Sequence, residues 1–331
     1  MALTEKDELR HVFSDDPNWR ESIYFNFADP KNGLGGWIYL WVVPNKEKKS
    51  GMLVSVYKGI HDRFDINGLA FAQPHHMYFE NKHKWVYCYK QEVAELLDQD
   101  FDDAYLCGLR LQRETPLRSY KILFDDSEGA SLDLQGQFTT LPYDYSTGVY
   151  STPWWVATNR YHRSWRAKGT LSTDAGTFQI DTTGDSDHSW GIRDMSEFSR
   201  HTFKMWSFQS QDGSRSVSVI EQSDGVFLGF IDIDGDMQSV AKIKHRTEFT
   251  RTGLQRRISL RITDRANRVV SAKLENLFSA IGHGEPSGLW GFEGVGEYDV
   301  EEWGPCTGVA SYFWPPTVSP DSLQALTNEQ I

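Results

Sequence analysis

The sequence predicts an all-β chain built as two tandem antiparallel β-barrels with few short helices, and three observations support that class. Short runs of β-branched and aromatic residues recur along the whole chain, and several alternate apolar with polar side chains at the period of two that a half-buried strand requires. Long stretches with a 3.6-residue apolar period are missing. The length of 331 residues suits two domains of about 150 residues, each the size of a closed or half-closed barrel of roughly eight strands.

In chain order, Ser22–Ala28, Trp37–Val43, Met52–Tyr57, Lys84–Tyr89, Leu106–Leu111 and Ser119–Phe124 read as strands. Gln91–Leu97 reads as a helix, because Val93, Leu96 and Leu97 fit a helical period, and Pro320–Leu326 reads as another. Pro142–Pro153, rich in Tyr, Ser, Thr, Gly and Pro, reads as the connection between an N-terminal barrel over 12–150 and a C-terminal barrel over 151–316, followed by a polar tail at 317–331. In the second half, Thr173-Asp174-Ala175-Gly176 and Gln211-Asp212-Gly213-Ser214 are turn sequences between strand-like arms. Further strands at Val226–Asp232, Gln238–His245, Gln255–Ile262 and Val269–Leu277 have the spacing of a meander. Asp232-Ile233-Asp234-Gly235-Asp236 mimics the start of a calcium loop, but its glycine is one position after the second Asp and Ile243 stands where the loop needs Glu; it reads as a hairpin turn.

Composition narrows the function classes. With 34 basic and 46 acidic side chains the net charge is −12, which repels phosphate backbones, and no Lys/Arg stripe gathers the cations, so nucleic acid is not expected as a partner. Met1–Arg20 lacks the apolar core of a signal peptide, and the most apolar run, Leu34–Val43, is about half the ~20 residues that span a bilayer. A cytoplasmic protein without a membrane span is expected. Cys88, Cys107 and Cys306 stand in unrelated settings and read as reduced thiols. The adjacent His75 and His76 face opposite ways on a strand and suit a metal poorly, so no metal is expected. His162 is a candidate for the mouth of the second barrel, beside the plainer reading of an ordinary strand histidine. Gly291, Gly294 and Gly296 do not form a dinucleotide fingerprint. With 12 Trp, 14 Tyr and 19 Phe, an apolar ligand cavity is one reading of the barrels; rings that simply fill packed cores are the other.

The densest polar cluster runs from Gly184 through Asp185, Ser186, Asp187, His188, Ser189, Trp190, Gly191, Ile192 and Arg193 to Asp194. If it is extended, His188 and Trp190 share one face and Asp187 takes the other. Asp187 or Asp194 would then orient the imidazole for proton transfer, while the indole faces a developing cation. A structural ion pair of Arg193 with Asp194 is the alternative.

Asp187-His188-x-Trp190 resembles the signature of the carotenoid 1,2-hydratase (hydroxyneurosporene synthase)-like proteins, and the longer Asp187–Asp194 run resembles a broad bacterial branch of them. Tyr24-Phe25-Asn26-Phe27 with Gly33–Trp37 is similar to that branch's first hairpin, and Gly294-Val295-Gly296-Glu297-Tyr298 to its last strand. The resemblance covers roughly residues 20 to 305, with only the central motif specific. It implies two lipocalin-like barrels in tandem and cofactor-free chemistry on polyene or terpenoid skeletons, with fungal relatives that catalyse cycloadditions. It assigns His188 and Trp190 the proton-handling and cation-stabilising roles. The Tyr and Asp that complete the site in the hydratases are absent from Phe203–Gln209, and Met195 replaces the usual Trp. Asp194, Glu297 or Glu301 are left to supply an acid, and Trp206, Phe208, Arg193 and Tyr298 to contact substrate.

The expectation is therefore an enzyme that hydrates, dehydrates, isomerises or cyclises an apolar small molecule at a carbon–carbon double bond without a cofactor. A pericyclase of Diels–Alder type and a non-catalytic carrier are the alternatives.

Overall fold

Alternation dictates strands, and in the computed structural model the described residues form twenty strands. The structure describes residues 3–65, 75–223, 225–284 and 288–323. The first twelve strands are β1 (Trp19–Asp29), β2 (Leu34–Val43), β3 (Lys49–Asp65), β4 (His75–Asn81), β5 (Lys84–Val93), β6 (Asp103–Leu106), β7 (Leu109–Thr115), β8 (Ser119–Asp125), β9 (Ser131–Phe138), β10 (Tyr143–Asp144), β11 (Asn159–Thr173) and β12 (Gly176–Ile192). The remaining eight are β13 (Phe203–Ser210), β14 (Arg215–Gln222), β15 (Phe227–Ile233), β16 (Asp236–Phe249), β17 (Gln255–Asp264), β18 (Val269–Gly284), β19 (Trp290–Val300) and β20 (Gly304–Trp314). The two α-helices among the described residues, α1 (Met195–Phe198) and α2 (Pro320–Leu323), are single turns. The rest of the helix expected to Leu326 lies outside the described residues.

β13 to β20 pair in sequence, and β13 pairs with β20, so this unit closes into an antiparallel barrel of eight strands. Closure removes sheet edges. Its interior is filled by Trp206, Phe208, Val219, Leu260, Tyr298 and Tyr312, among others. The Asp234–Gly235 turn between β15 and β16 has positive φ at both residues, the hairpin geometry that Asp-Gly favours; it is the turn expected in place of a calcium loop.

The first twelve strands form a curled sheet in the order β4-β5-β3-β2-β1-β12-β11-β9-β8-β7-β6, with short β10 on the start of β11. It wraps around Phe25, Val54, Trp85, Tyr120, Leu134 and Trp165. A parallel pairing of β3 with β18 joins it to the barrel.

Three expectations are corrected. The segment 142–153 does not divide the sheets: β11 and β12, which follow it, pair with β9 and with β1. The central motif therefore belongs to the first sheet, because the edge of β1 takes its hydrogen bonds from β12. Gln91–Leu97 is not a helix. Residues 91–93 take ladder bonds from β3, and the Leu97 N–H donates to Ser50 Oγ at 2.6 Å, so sheet pairing overrides a weak helical period. Leu106–Leu111 is not one strand but a hairpin, turning at Cys107 and Gly108, both at positive φ.

Candidate active site

Register decides which side chains meet. Opposed residues of an antiparallel pair share a face, so the pairs Glu21↔Trp190, Ile23↔His188 and Phe25↔Ser186 turn inward into the first sheet's core, whereas Ser22↔Ser189 and Tyr24↔Asp187 turn outward. His188 and Trp190 thus share a face, with ring centres 5.2 Å apart.

That face is packed. His188 is 0% exposed, its Nε2 lies 2.9 Å from Glu21 Oε1, its Nδ1 lies 3.3 Å from the Tyr161 hydroxyl, and Phe101 abuts it edge-on. His11 arrives from the N-terminal segment, stacks on Trp190 at 3.8 Å and places its Nδ1 2.8 Å from the same Glu21 oxygen. Burial raises the Glu21 carboxyl, and the hydrogen bonds to His11 and His188 together with the His188 charge overcome that and hold it below its ordinary value. Among the described residues, His11, Glu21 and His188 are the one trio with donors spaced to hold a metal ion. Here the His11 Nδ1 and the His188 Nε2 both meet Glu21 Oε1, so the three side chains are linked by hydrogen bonds.

The cleft lies on the opposite face. It encloses about 380 Å³ between the outer face of the first sheet and the outer face of the barrel, within the size range of small-molecule sites. From β1 and β2 come Arg20, Ser22, Tyr24, Trp37, Tyr39 and Trp41; from β11 and β12, Arg160 and Asp187; beyond β12, Arg193. The barrel adds Phe203 and Met205 from β13, His283 from β18, Glu293 from β19, and Ser311 and Phe313 from β20. Trp37 and His283 meet across the junction at 4.9 Å, and Tyr24 meets Tyr39 edge-on at 6.0 Å.

Three electrostatic features stand out. Glu293, opposite Ser311 in the β19–β20 ladder, is 6% exposed. Burial pushes its carboxyl up to about 8 against the opposing hydrogen bonds to Ser311 and Tyr24, so it is a neutral acid at pH 7. Its Oε1 is buried without a hydrogen-bond partner. Asp187 accepts from Arg160 Nη2 at 2.7 Å, a buried ion pair. Tyr39 accepts from Arg20 Nη2 at 2.9 Å and from Arg193 Nη1 at 3.2 Å. Burial alone would raise the Tyr39 phenol, but the two guanidinium charges, with Ser22, hold it below its ordinary value.

Of the residues expected from sequence, Asp187 and Arg193 line this cleft. Asp194 instead caps α1, accepting from the N–H groups of Ser196 and Glu197. Trp206, Phe208 and Tyr298 fill the barrel: Trp206 Nε1 donates to the Tyr312 hydroxyl at 3.0 Å, and Phe208 stacks on Tyr298 at 4.6 Å. Glu297 and Glu301 are exposed and do not line the cleft. His162 is buried between the sheets, its Nδ1 3.0 Å from the Tyr145 hydroxyl and 3.1 Å from Ser218 Oγ. The side chains of His75 and His76 lie outside the described residues. Sequence reasoning missed Glu293, Tyr24, Tyr39, Arg20 and Arg160. The signal for Glu293 was a single acid in the apolar, glycine-rich run Trp290–Gly296.

Residues 4–85 and 75–284 match the model of a family described as a domain of unknown function, DUF7064. The chain belongs to this family. A comparison with curated proteins finds no match. Among solved structures, a Nitrosomonas europaea protein assigned as an AttH is 11% identical over 91% of this chain and 93% of that one, with a TM-score of 0.55. CghA is 11% identical over 91% and 89%, with a TM-score of 0.50. Kievitone hydratase from Nectria haematococca is 9% identical over 97% of both chains, and its TM-score of 0.48 carries no argument. At these identities the likeness is one of fold. The description of the matched family does not name the carotenoid 1,2-hydratase-like proteins that the Asp187–Asp194 motif resembles. No helix among the described residues is long and apolar enough to cross a membrane.

Proposed function

We propose that this DUF7064 protein is an acid–base enzyme whose inter-sheet cleft binds an unsaturated hydrophobic small molecule, of terpenoid or polyene type, and protonates a carbon–carbon double bond from Glu293. One observation carries the reading: a carboxyl kept neutral at pH 7, with an unpartnered oxygen, in the wall of a ligand-sized cleft.

The π electrons take the Glu293 proton to form a new C–H bond, leaving a cation on the neighbouring carbon and a carboxylate on Glu293. The ring faces of Tyr24 and Trp37 stabilise that cation. The carboxylate then takes a proton from attacking water, which completes hydration, or from an adjacent carbon, which completes isomerisation; either way Glu293 returns to its acid form. Asp187 stays paired with Arg160 and is a fixed charge in the wall rather than the proton donor. His188 and Trp190 support the strand that presents Asp187, from the other face.

The test is turnover of a terpenoid and polyene panel in deuterated water, read by mass spectrometry. The expected product carries deuterium at a nonexchangeable carbon, Glu293→Gln lowers turnover by about 100-fold or more, and activity falls above about pH 8 as Glu293 ionises. Ring closure without label would replace this reading by a pericyclic one. Recovery of bound, unaltered ligand alone would replace it by a carrier.

A further inference from the structure

The charges around the cleft do not balance, and the imbalance is local. Arg160 has Asp187 as its counter-ion at 2.7 Å, and Lys49 at the rim pairs with Glu47 and Glu92. Arg20 and Arg193 have no carboxylate within ion-pair distance among the described residues. Arg193 spends its donors on neutral oxygens: the Val156 carbonyl at 2.8 Å, Ser189 Oγ at 3.2 Å and the Tyr39 hydroxyl at 3.2 Å. Arg20 gives one N–H to the same hydroxyl at 2.9 Å, and its Nε is buried with no partner. Two guanidinium groups therefore converge on one phenol oxygen with no carboxylate in contact, and Asp187 acts on Arg193 only from beyond ion-pair distance.

Like charges held together in a partly desolvated wall repel one another. An anion placed between them reverses that, and a planar guanidinium fork matches a carboxylate better than any other common group. Tyr39 and Trp41 form the apolar floor, with Arg20 over both rings at 5.4 and 5.3 Å. Tyr24, whose side chain hydrogen-bonds Glu293, has its ring 6.0 Å from the Tyr39 ring, so neighbouring rings connect the charged end of the cleft with the proton donor.

We infer that the substrate is a hydrophobic acid, an unsaturated skeleton carrying a carboxylate that Arg20 and Arg193 hold beside Tyr39. This rests on the acid–base reading of the same cleft and names its substrate class. Tyr39 donates its hydroxyl hydrogen to the carboxylate while the two arginines bracket it.

The test uses retinoic acid and its methyl ester as probes, read by quenching of the cleft tryptophans and by calorimetry. The acid is expected to bind at least about tenfold more tightly than the ester, and Arg193→Gln and Arg20→Gln are each expected to weaken the acid several-fold while leaving the ester unchanged. Added salt should weaken the acid alone. Equal affinity for the two probes, binding of neither, or variants that weaken both alike would overturn the inference; thermal melts of the variants separate lost folding from lost recognition. Glu293→Gln should keep the preference for the acid. Loss of turnover in that variant beside equal acid and ester binding sinks only the substrate class, whereas a kept preference beside unchanged turnover sinks only the acid–base reading.

Discussion

The protonation of Glu293 has a consequence for stability that needs no substrate. Its carboxyl rises from 4.5 to about 8 in the folded chain, so between those values the unfolded chain has released a proton that the folded chain still holds. Stability from this group is complete below about 4.5 and is lost as pH climbs through about 8. Each pH unit in that window removes about 1.4 kcal/mol. Glu293→Gln keeps the shape and removes the titration. Between about pH 5.5 and 7.5 the wild type should thus lose about 2 to 3 kcal/mol of unfolding free energy relative to the variant. Asp185, buried between the sheets and raised to about 7 by burial, adds a similar slope to both proteins and cancels in the comparison. Urea unfolding at the two pH values measures the difference. Parallel curves for the two proteins would mean that Glu293 is already ionised in the fold, and the proton-donor argument would fail with it.

Other outcomes follow from the same contacts. His188→Ala strips one of two imidazoles from the buried Glu21 carboxyl and should cost about 3 to 5 kcal/mol in chemical denaturation, while the cleft's preference for an acid probe survives. Gly191→Ala should destabilise the end of β12, because φ is +113° and a Cβ would stand 2.4 Å from Thr158 Oγ1; a melting temperature matching the parent would contradict this. Asp187→Asn leaves Arg160 buried without a counter-ion and should weaken stability more than Asp194→Asn, which alters only the cap of a single helical turn; paired denaturation curves compare them.

Strand content was legible because alternation is local. The β15–β16 turn was too, since Asp-Gly carries its own backbone preference. The second barrel's meander followed from spacing alone. The face-sharing of His188 and Trp190, and the opposite direction of Asp187, came from the pleat. What alternation cannot supply is what lies beyond each face. His11, ten residues before Glu21, closes one side, while Glu293 reaches the other from more than a hundred residues after Asp187.

The sequence by itself determined an acidic, all-β chain, the strands and most hairpins, and a polar cluster turned two ways at Asp187 and His188, because period-two geometry and turn chemistry act over a few residues. Tertiary structure alone decided that β12 belongs to the first sheet, that the imidazole side is filled and that the cleft opens between the sheets. It also decided that burial raises the Glu293 carboxyl, since desolvation depends on which distant strands come to lie against one another.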